Sequence, residues 1–399
     1  MNDRSHALKR RLSYISRDSH AGQKSSRETS REVSRESCIG SFPSLPDPQI
    51  RPDPWKRVGR YTYVRDSIEE IPLKNGPYEL IRLEGFGRLE DIVFFDIETT
   101  GLSGGAGSIA FLIGMAWKYG AALKVEQVFL SDFPGEEEFL DYLSKRLLPE
   151  KLYISYNGKC FDSHVLKTRY VMNGSQLSFP LQLDLLYPSR RFWKSITGAC
   201  DLATIEDRIL GIRRNRDIPG YEVPEAYFNF LKTGQTESIS LVFDHNYQDI
   251  LSLVHLMNLI EGIITRGQAP ASFDMTGLGT YLLDRGEERG LSFLRSAFHL
   301  GDNRAGRILS LYLKRNRNWP QAVSIWKKMA LRNSPFALIE LAKYYEHREL
   351  DPSQALEWLA RVEPYTVRER MILPELNKRK KRLHDKMGRA VRANTEGPP

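Results

Sequence analysis

Cysteine is scarce: Cys38, Cys160 and Cys200 are the only three in 399 residues. An odd, widely spaced set excludes a disulfide framework and a cysteine-rich zinc site, and it fits a reducing, cytoplasmic setting. No apolar run approaches the roughly 20 residues that span a bilayer, so no membrane partner is expected. Met1 to His6 contain no apolar core of a secretory signal. The glycine-rich stretch Ser103–Gly107 lacks the spacing of a nucleotide fingerprint. Acids are outnumbered, leaving a net charge of +8. That excess suits a polyanion, although many basic proteins bind none specifically.

What is present is organised around Ile92-Val93-Phe94-Phe95-Asp96-Ile97-Glu98-Thr99-Thr100-Gly101-Leu102. The Ile, Val and Phe run reads as a buried strand. Strand side chains alternate, so Asp96 and Glu98 face the same way. Two acids on one face of an apolar strand repel each other and are costly to bury. A divalent cation removes that cost, and hard cations prefer carboxylate oxygens. Thr99 to Leu102 form a turn where backbone comes close to a ligand. The plainer alternative is a strand with two polar residues at its exposed end.

Residues 1–57 are rich in Ser, Arg and Glu and read as a disordered basic arm, either solvated or touching nucleic acid. Residues 58–90 read as short strands and turns. Ile109–Trp117 and Leu123–Phe129 form a hairpin, a helix runs from Asp132 to near Leu148, and Leu152–Tyr156 is a return strand. Phe161–Met172 is helical with Asp162 at its start, where an Asp is most simply a helix cap. Leu181–Leu185 is a short strand carrying Asp184. Arg190 to Gly234 is an ordered, Arg-rich excursion punctuated by Asp217-Ile218-Pro219-Gly220. Ile239–Ile260 is one long helix, with His245 and Asp249 on one side of it.

Beyond Thr265 helical periodicity takes over. Pro320–Trp326 resembles Pro352–Trp358, with Ala322 and Ala355 aligned at an offset of 33 residues. That is close to the tetratricopeptide period and predicts stacked helical hairpins over 266–385, ahead of a flexible tail at 386–399. Unrelated amphipathic helices are the alternative. The run Lys378-Arg379-Lys380-Lys381-Arg382 reads as a solvated basic face or a phosphate contact.

Taken together, the acids at element ends form three ordered blocks: Asp-Ile-Glu-Thr-Thr-Gly-Leu from Asp96, Asn-Gly-Lys-Cys-Phe-Asp ending at Asp162, and His-Asn-Tyr-Gln-Asp ending at Asp249. Over roughly residues 90–262 this resembles the DEDD 3′–5′ exonucleases of the ribonuclease H-like superfamily, and more closely the YprB-type branch. Arg190 to Trp193, Asp217 to Gly220 and Phe230 to Gly234 look like that branch too. The resemblance implies an α/β domain over 58–265, a ribonuclease H-like mixed sheet flanked by helices, followed by an all-α tetratricopeptide-like domain. It implies two Mg²⁺ or Mn²⁺ ions: Asp96 bridging both, Glu98 and Asp249 on one, Asp162 on the other. His245 stands four residues before Asp249, where the family's pattern has Tyr, and is the candidate to orient or deprotonate water. Tyr247 points away from it on a helix.

Thr99, Leu102, Asn157 and Phe161 are candidate nucleotide contacts, Phe161 by stacking or else as a buried residue. Asp184 supports the metal site from behind, or simply ends its strand. The expected activity is metal-dependent phosphodiester hydrolysis on single-stranded DNA or RNA from a 3′ end. The rivals are a silent nucleic-acid-binding module and an adaptor that docks a protein partner through its helical repeats.

Overall fold

The computed structural model describes residues 55–71, 78–83, 92–101, 107–178, 181–214, 217–267, 272–362 and 373–395. Two compact units divide between Ser272 and Phe273. The strands of the first unit are β1 (Lys56–Arg57), β2 (Thr62–Glu69), β3 (Ile92–Thr99), β4 (Ala110–Tyr119), β5 (Ala122–Leu130), β6 (Leu152–Ser155) and β7 (Leu181–Asp184). They make one sheet in the order β1-β2-β5-β4-β3-β6-β7. Strands β3, β4 and β5 form an antiparallel meander, and β6 and β7 join β3 in parallel. This is the expected mixed α/β sheet, and its first strand takes in residues that the sequence assigns to the arm. Trp55 explains that extension: it is buried and packs on Phe129 and Phe243, with centroids 5.8 and 4.6 Å away.

The central strand β3 carries Ile92, Val93, Phe94 and Phe95 buried, because sheet neighbours flank it and helices cover its faces. Helix α1 (Glu79–Leu83) lies where short strands and turns were expected. Its free N–H groups at Glu79 and Leu80 donate to the buried carboxylate of Glu261, each at 2.9 Å. That partner is about 180 residues away in the chain, so no local pattern announces the helix. Helix α2 (Glu136–Ser144) follows a single tight turn and ends before Leu148, short of the expected limit. Helices α3 (Asp162–Met172) and α4 (Leu186–Thr197) follow β6 and β7. Helix α5 (Leu202–Ile205) continues into a wide turn at Glu206–Leu210. Helix α6 (Val223–Thr233) docks through Tyr227, which stacks on Phe111 at 4.0 Å and donates to the Leu130 carbonyl at 2.8 Å.

The longest element of this unit is α7 (Glu237–Arg266). Ile239, Val242, Phe243, Asn246, Ile250, Leu253, Val254, Met257 and Ile260 are buried on it at helical spacing. It crosses the sheet where β4 has Gly114, the register partner of Asp96. A Cβ at Gly114 would lie 2.4 Å from Asn246 Oδ1 and 2.8 Å from Ile250 Cγ1. The missing side chain therefore sets how closely the helix approaches β3.

The second unit is all helical: α8 (Met275–Leu283), α9 (Gly290–His299), α10 (Asn303–Arg315), α11 (Trp319–Leu331), α12 (Pro335–His347), α13 (Pro352–Ala360) and α14 (Leu373–Thr395). Each packs on the next in sequence, around a core that includes Leu309, Trp326 and Leu341. Helices α11 and α13 start 33 residues apart, each with Pro at its beginning. Each is capped by the residue before it, Asn318 or Asp351, and each buries one of the paired alanines completely. Helix α14 runs on to Thr395, so residues 386–395 are helical and the expected tail at 386–399 does not begin there. The basic run has a third role besides the two foreseen. Arg379, Arg382 and Lys386, on one face of α14, converge on the buried Glu346 of α12. Burial alone would raise the pKa of Glu346, but hydrogen bonds from Arg382 and Lys386 and the charge of Arg379 bring it down to about 2. Among the described residues no helix is long and apolar enough to cross a membrane.

Gly114→Val is expected to push α7 off the sheet and to cost about 1–3 kcal/mol, as overpacking does. Urea or thermal denaturation checks this; an unchanged midpoint would mean that the helix does not rely on that close approach.

Candidate metal and nucleic-acid site

Asp96 and Glu98 leave the same side of β3 near its end. A bulge between Glu98 and Thr99 then turns the chain. Asp162 occupies the first position of α3 and is buried. It is not the cap residue; Phe161 holds that position, and Asp162 Oδ2 has no hydrogen-bond partner among the protein atoms. His245 and Asp249 project from one side of α7, with His245 Nε2 3.6 Å from Asp249 Oδ2 and 3.9 Å from Glu98 Oε1. The sheet end, the start of α3 and the middle of α7 thus bring Asp96, Glu98, Asp162, His245 and Asp249 to one place.

Electrostatics records that crowding. Burial raises the pKa of Asp96 well above the carboxylate range, and the charges of Asp249, Glu98 and Asp162 raise it further. Glu98 rises for the same reasons, burial first and then Asp249 and Asp162, with Arg214 opposing. Asp162 is pushed up to about 8 by burial and by the charges of Asp184 and Asp249. Such a cluster suits a cation. The ligand atoms of Glu98, His245 and Asp249 lie within 4.8 Å of one another. The orphaned oxygen of Asp162 offers a further donor. A set of carboxylates with one imidazole fits a divalent metal such as Mg²⁺ or Mn²⁺.

The remaining candidates are placed as follows. Thr99 is buried and donates its hydroxyl to the Gly101 carbonyl at 2.7 Å, shaping the turn. Leu102 lies outside the described residues. Asn157 is exposed with φ at 63°, a left-handed position that Asn tolerates. Phe161 is half-buried and packs against the core. Asp184 is buried and accepts from the backbone of Asn157 at 2.8 Å, Lys159 at 3.2 Å and Leu186 at 3.0 Å. It pins the turn that delivers Asp162 and also starts α4. Tyr247 points away from the acids, toward Glu69 and Ser67 on β2.

Four residues that shape the site went unmarked in the sequence. Asn246, wholly buried, donates to Asp96 Oδ2 at 2.8 Å. Its own carbonyl oxygen accepts from Gln127 at 2.7 Å, and Gln127 in turn accepts from Arg65 at 2.5 Å. A polar residue at an apolar position of the α7 pattern was the available signal for Asn246. Asp217 lies 2.6 Å from His245 Nδ1. Arg214 pairs with Asp249 and, at 2.6 Å, with the buried Glu206, and it lies 3.0 Å from His245 Nδ1. The sequence offered only Asp217's place in a turn motif and Arg214's membership of a scatter of arginines.

Because these acids are harder to ionise in the fold than in the open chain, the metal-free protein is favoured while they stay protonated. That advantage is complete below about pH 4, near ordinary carboxylate values, and is lost as pH rises toward the value of about 8 at Asp162. Metal-free Tm is expected to fall between pH 5 and 8.5. Mn²⁺ at a hundredfold excess over its Kd should restore about 2.7 kcal/mol at the upper end. Scanning calorimetry with and without EDTA reads both effects; a Tm that climbs with pH in EDTA contradicts the clustering.

The RNase H superfamily signature matches residues 93–261, a span that contains all five of the converging side chains. The uncharacterized protein YprB of Bacillus subtilis (strain 168) is 32% identical over 320 residues, which cover 75% of this chain and 76% of YprB. With a mixed sheet followed in the chain by a helical unit, this chain belongs to the YprB family of ribonuclease H-like proteins.

Proposed function

We propose that the chain is a metal-dependent nuclease that hydrolyses phosphodiester bonds of single-stranded DNA or RNA from the 3′ end. The observation that carries this reading is the mutual electrostatic loading of Asp96, Glu98, Asp162 and Asp249 in a nearly buried site. Bound divalent cations relieve such a cluster, and cations held there would attract a phosphodiester. Divalent cations held there supply Lewis acidity and a water that is acidic near neutral pH.

The chain's own residues do the rest. Asn246 fixes one oxygen of Asp96, leaving the other for a ligand. Arg214 takes Oδ1 of Asp249, so Oδ2 is the oxygen that faces His245. His245 is read as carrying its proton on Nδ1, facing the Asp217 carboxylate, which leaves Nε2 as an acceptor aimed toward Glu98 and Asp249. In this reading Nε2 takes the proton of the attacking water. The same geometry favours a second role, His245 as a ligand, since its Nε2 belongs to the set within 4.8 Å.

The repeated helix pairs of the second unit are read as tetratricopeptide-like and as a docking surface for a protein partner. Cys160 and Cys200 are unpaired in the structure, in keeping with work in the cytoplasm.

Full-length protein with Mn²⁺ and a 3′- or 5′-labelled single strand should give EDTA-sensitive products, and Asp96→Asn should abolish them. Cleavage surviving in that variant refutes the proposal. His245→Gln should lower kcat by about 10²–10⁴-fold if it acts as base, with Mn²⁺ affinity unchanged by calorimetry. A loss of affinity instead makes it a ligand.

A further inference from the structure

Two grooves open beside the acid cluster, and their charges are opposite. One, of about 580 Å³, is lined by Asp217, Glu222, Glu225 and Lys232. It starts at the carboxylate that holds His245. The other, of about 360 Å³, is lined by Tyr156, Asn157, Arg190, Lys194 and Asp201. It starts at the Asn157–Gly158 turn, and Gly158 abuts the metal-site acid: a Cβ added there would lie 2.9 Å from Asp162 Oδ2.

On that rest, and on the nuclease reading above, we infer that the Arg190–Lys194 groove holds the phosphodiester backbone of a single strand beside the acid cluster. Arg190 and Lys194 are one turn apart on α4, so they share a face. Both are exposed, and neither makes an ion pair among the described residues. The one acid in the groove is occupied: Asp201 accepts from the Thr204 backbone at 2.9 Å and from its hydroxyl at 2.7 Å. Tyr187, 48% exposed, lies one turn before Arg190 on the same face. Two cations beside an exposed ring form a stacking and phosphate platform that tolerates any base. The floor is rigid, since Leu186 is buried and Tyr156 donates to the Cys200 carbonyl at 2.8 Å. In the opposite groove Asp217 is engaged by Arg214 and His245, and Glu222 and Glu225 still outnumber Lys232, so its lining opposes a strand while Arg190 and Lys194 outnumber Asp201. Of these two grooves, charge favours the one at Arg190 and Lys194.

The test is fluorescence anisotropy of labelled dT12 and rU12 on the full chain, in Ca²⁺, between 50 and 300 mM salt. Arg190→Glu/Lys194→Glu should weaken binding at least tenfold. Removing two phosphate contacts should flatten the log K against log salt slope by about 1.4 for a single strand. Lys232→Glu, in the acidic groove, should leave binding unchanged. Mn²⁺ calorimetry should give the same isotherm in every variant, which shows the acid cluster intact. If the charge-reversed pair does not fold, Arg190→Gln/Lys194→Gln carries the test, with the same flattening of slope. A parent that binds while the groove variants bind equally overturns the groove alone; so does an equal loss on Lys232→Glu. A parent that binds neither oligonucleotide overturns the groove and the nuclease reading together.

Discussion

Mutual repulsion among nearly buried carboxylates is the constraint to which the rest of the first unit answers. Asp96, Glu98, Asp162 and Asp249 come from three elements far apart in the chain, and the first three are pushed toward the protonated form by burial and by neighbouring carboxylates, Asp249 among them in each case. A fold gains nothing from assembling them unless opposite charge is supplied. Part of it is built in. Arg214 sits against Asp249 and Glu206, and although burial works against its charge, those carboxylates hold its pKa above the ordinary value. One guanidinium shared between two carboxylates and near two others leaves the site still short of positive charge. That shortfall is what a divalent ion would fill.

The supporting shell shows that individual oxygens are assigned, not merely neutralised. Arg65 donates to Gln127, Gln127 to Asn246 and Asn246 to Asp96, a line of hydrogen bonds whose charged donor polarises each link toward the carboxylate. Arg65 itself is held by Asp244 at 3.6 Å and lies over the rings of Trp55 and Phe243. Trp55 and Phe243 also anchor the sheet edge and α7 in the aromatic core. The packing that fixes the helix and the bonds that aim the acid therefore use the same side chains, so a disturbance of the core at Gly114 reaches Asp96 through Asn246.

How much of this the sequence disclosed depends on the range of each cause. The central strand, the hairpin after it and the long helix follow from local periodicity, and each formed close to where that periodicity put it. The acid blocks stood out because their residue types are costly in apolar contexts. Helix α1 stayed hidden because its cap, Glu261, lies on α7. Asn246, Gln127 and Asp217 stayed hidden because an amide or a turn Asp is unremarkable until its partner is known. Local sequence reads Asp162 as a cap and only the ordered blocks read it as a metal ligand; its buried, unpartnered oxygen, with the charge of Asp249 acting on it, is a fact of tertiary assembly. Composition joins Trp55 to a polar arm, and tertiary packing puts it in the core.

Net charge needs the same treatment by partner. An excess of +8 says that positive side chains are in surplus, not where they act. The densest basic run, Lys378 to Arg382, is the obvious place to look for a polyanion, but Arg379 and Arg382, joined by Lys386, already surround the buried Glu346. Bringing a phosphate there would first require pulling cations from a buried acid whose pKa they bring down to about 2. Arg190 and Lys194 carry less charge density but make no ion pair among the described residues, so a phosphate meets them without displacing anything. Cations that the fold leaves uncommitted are the ones free to meet a ligand, and on that ground Arg190 and Lys194, beside the acids, are better candidates than the arginines of the run that composition marks first.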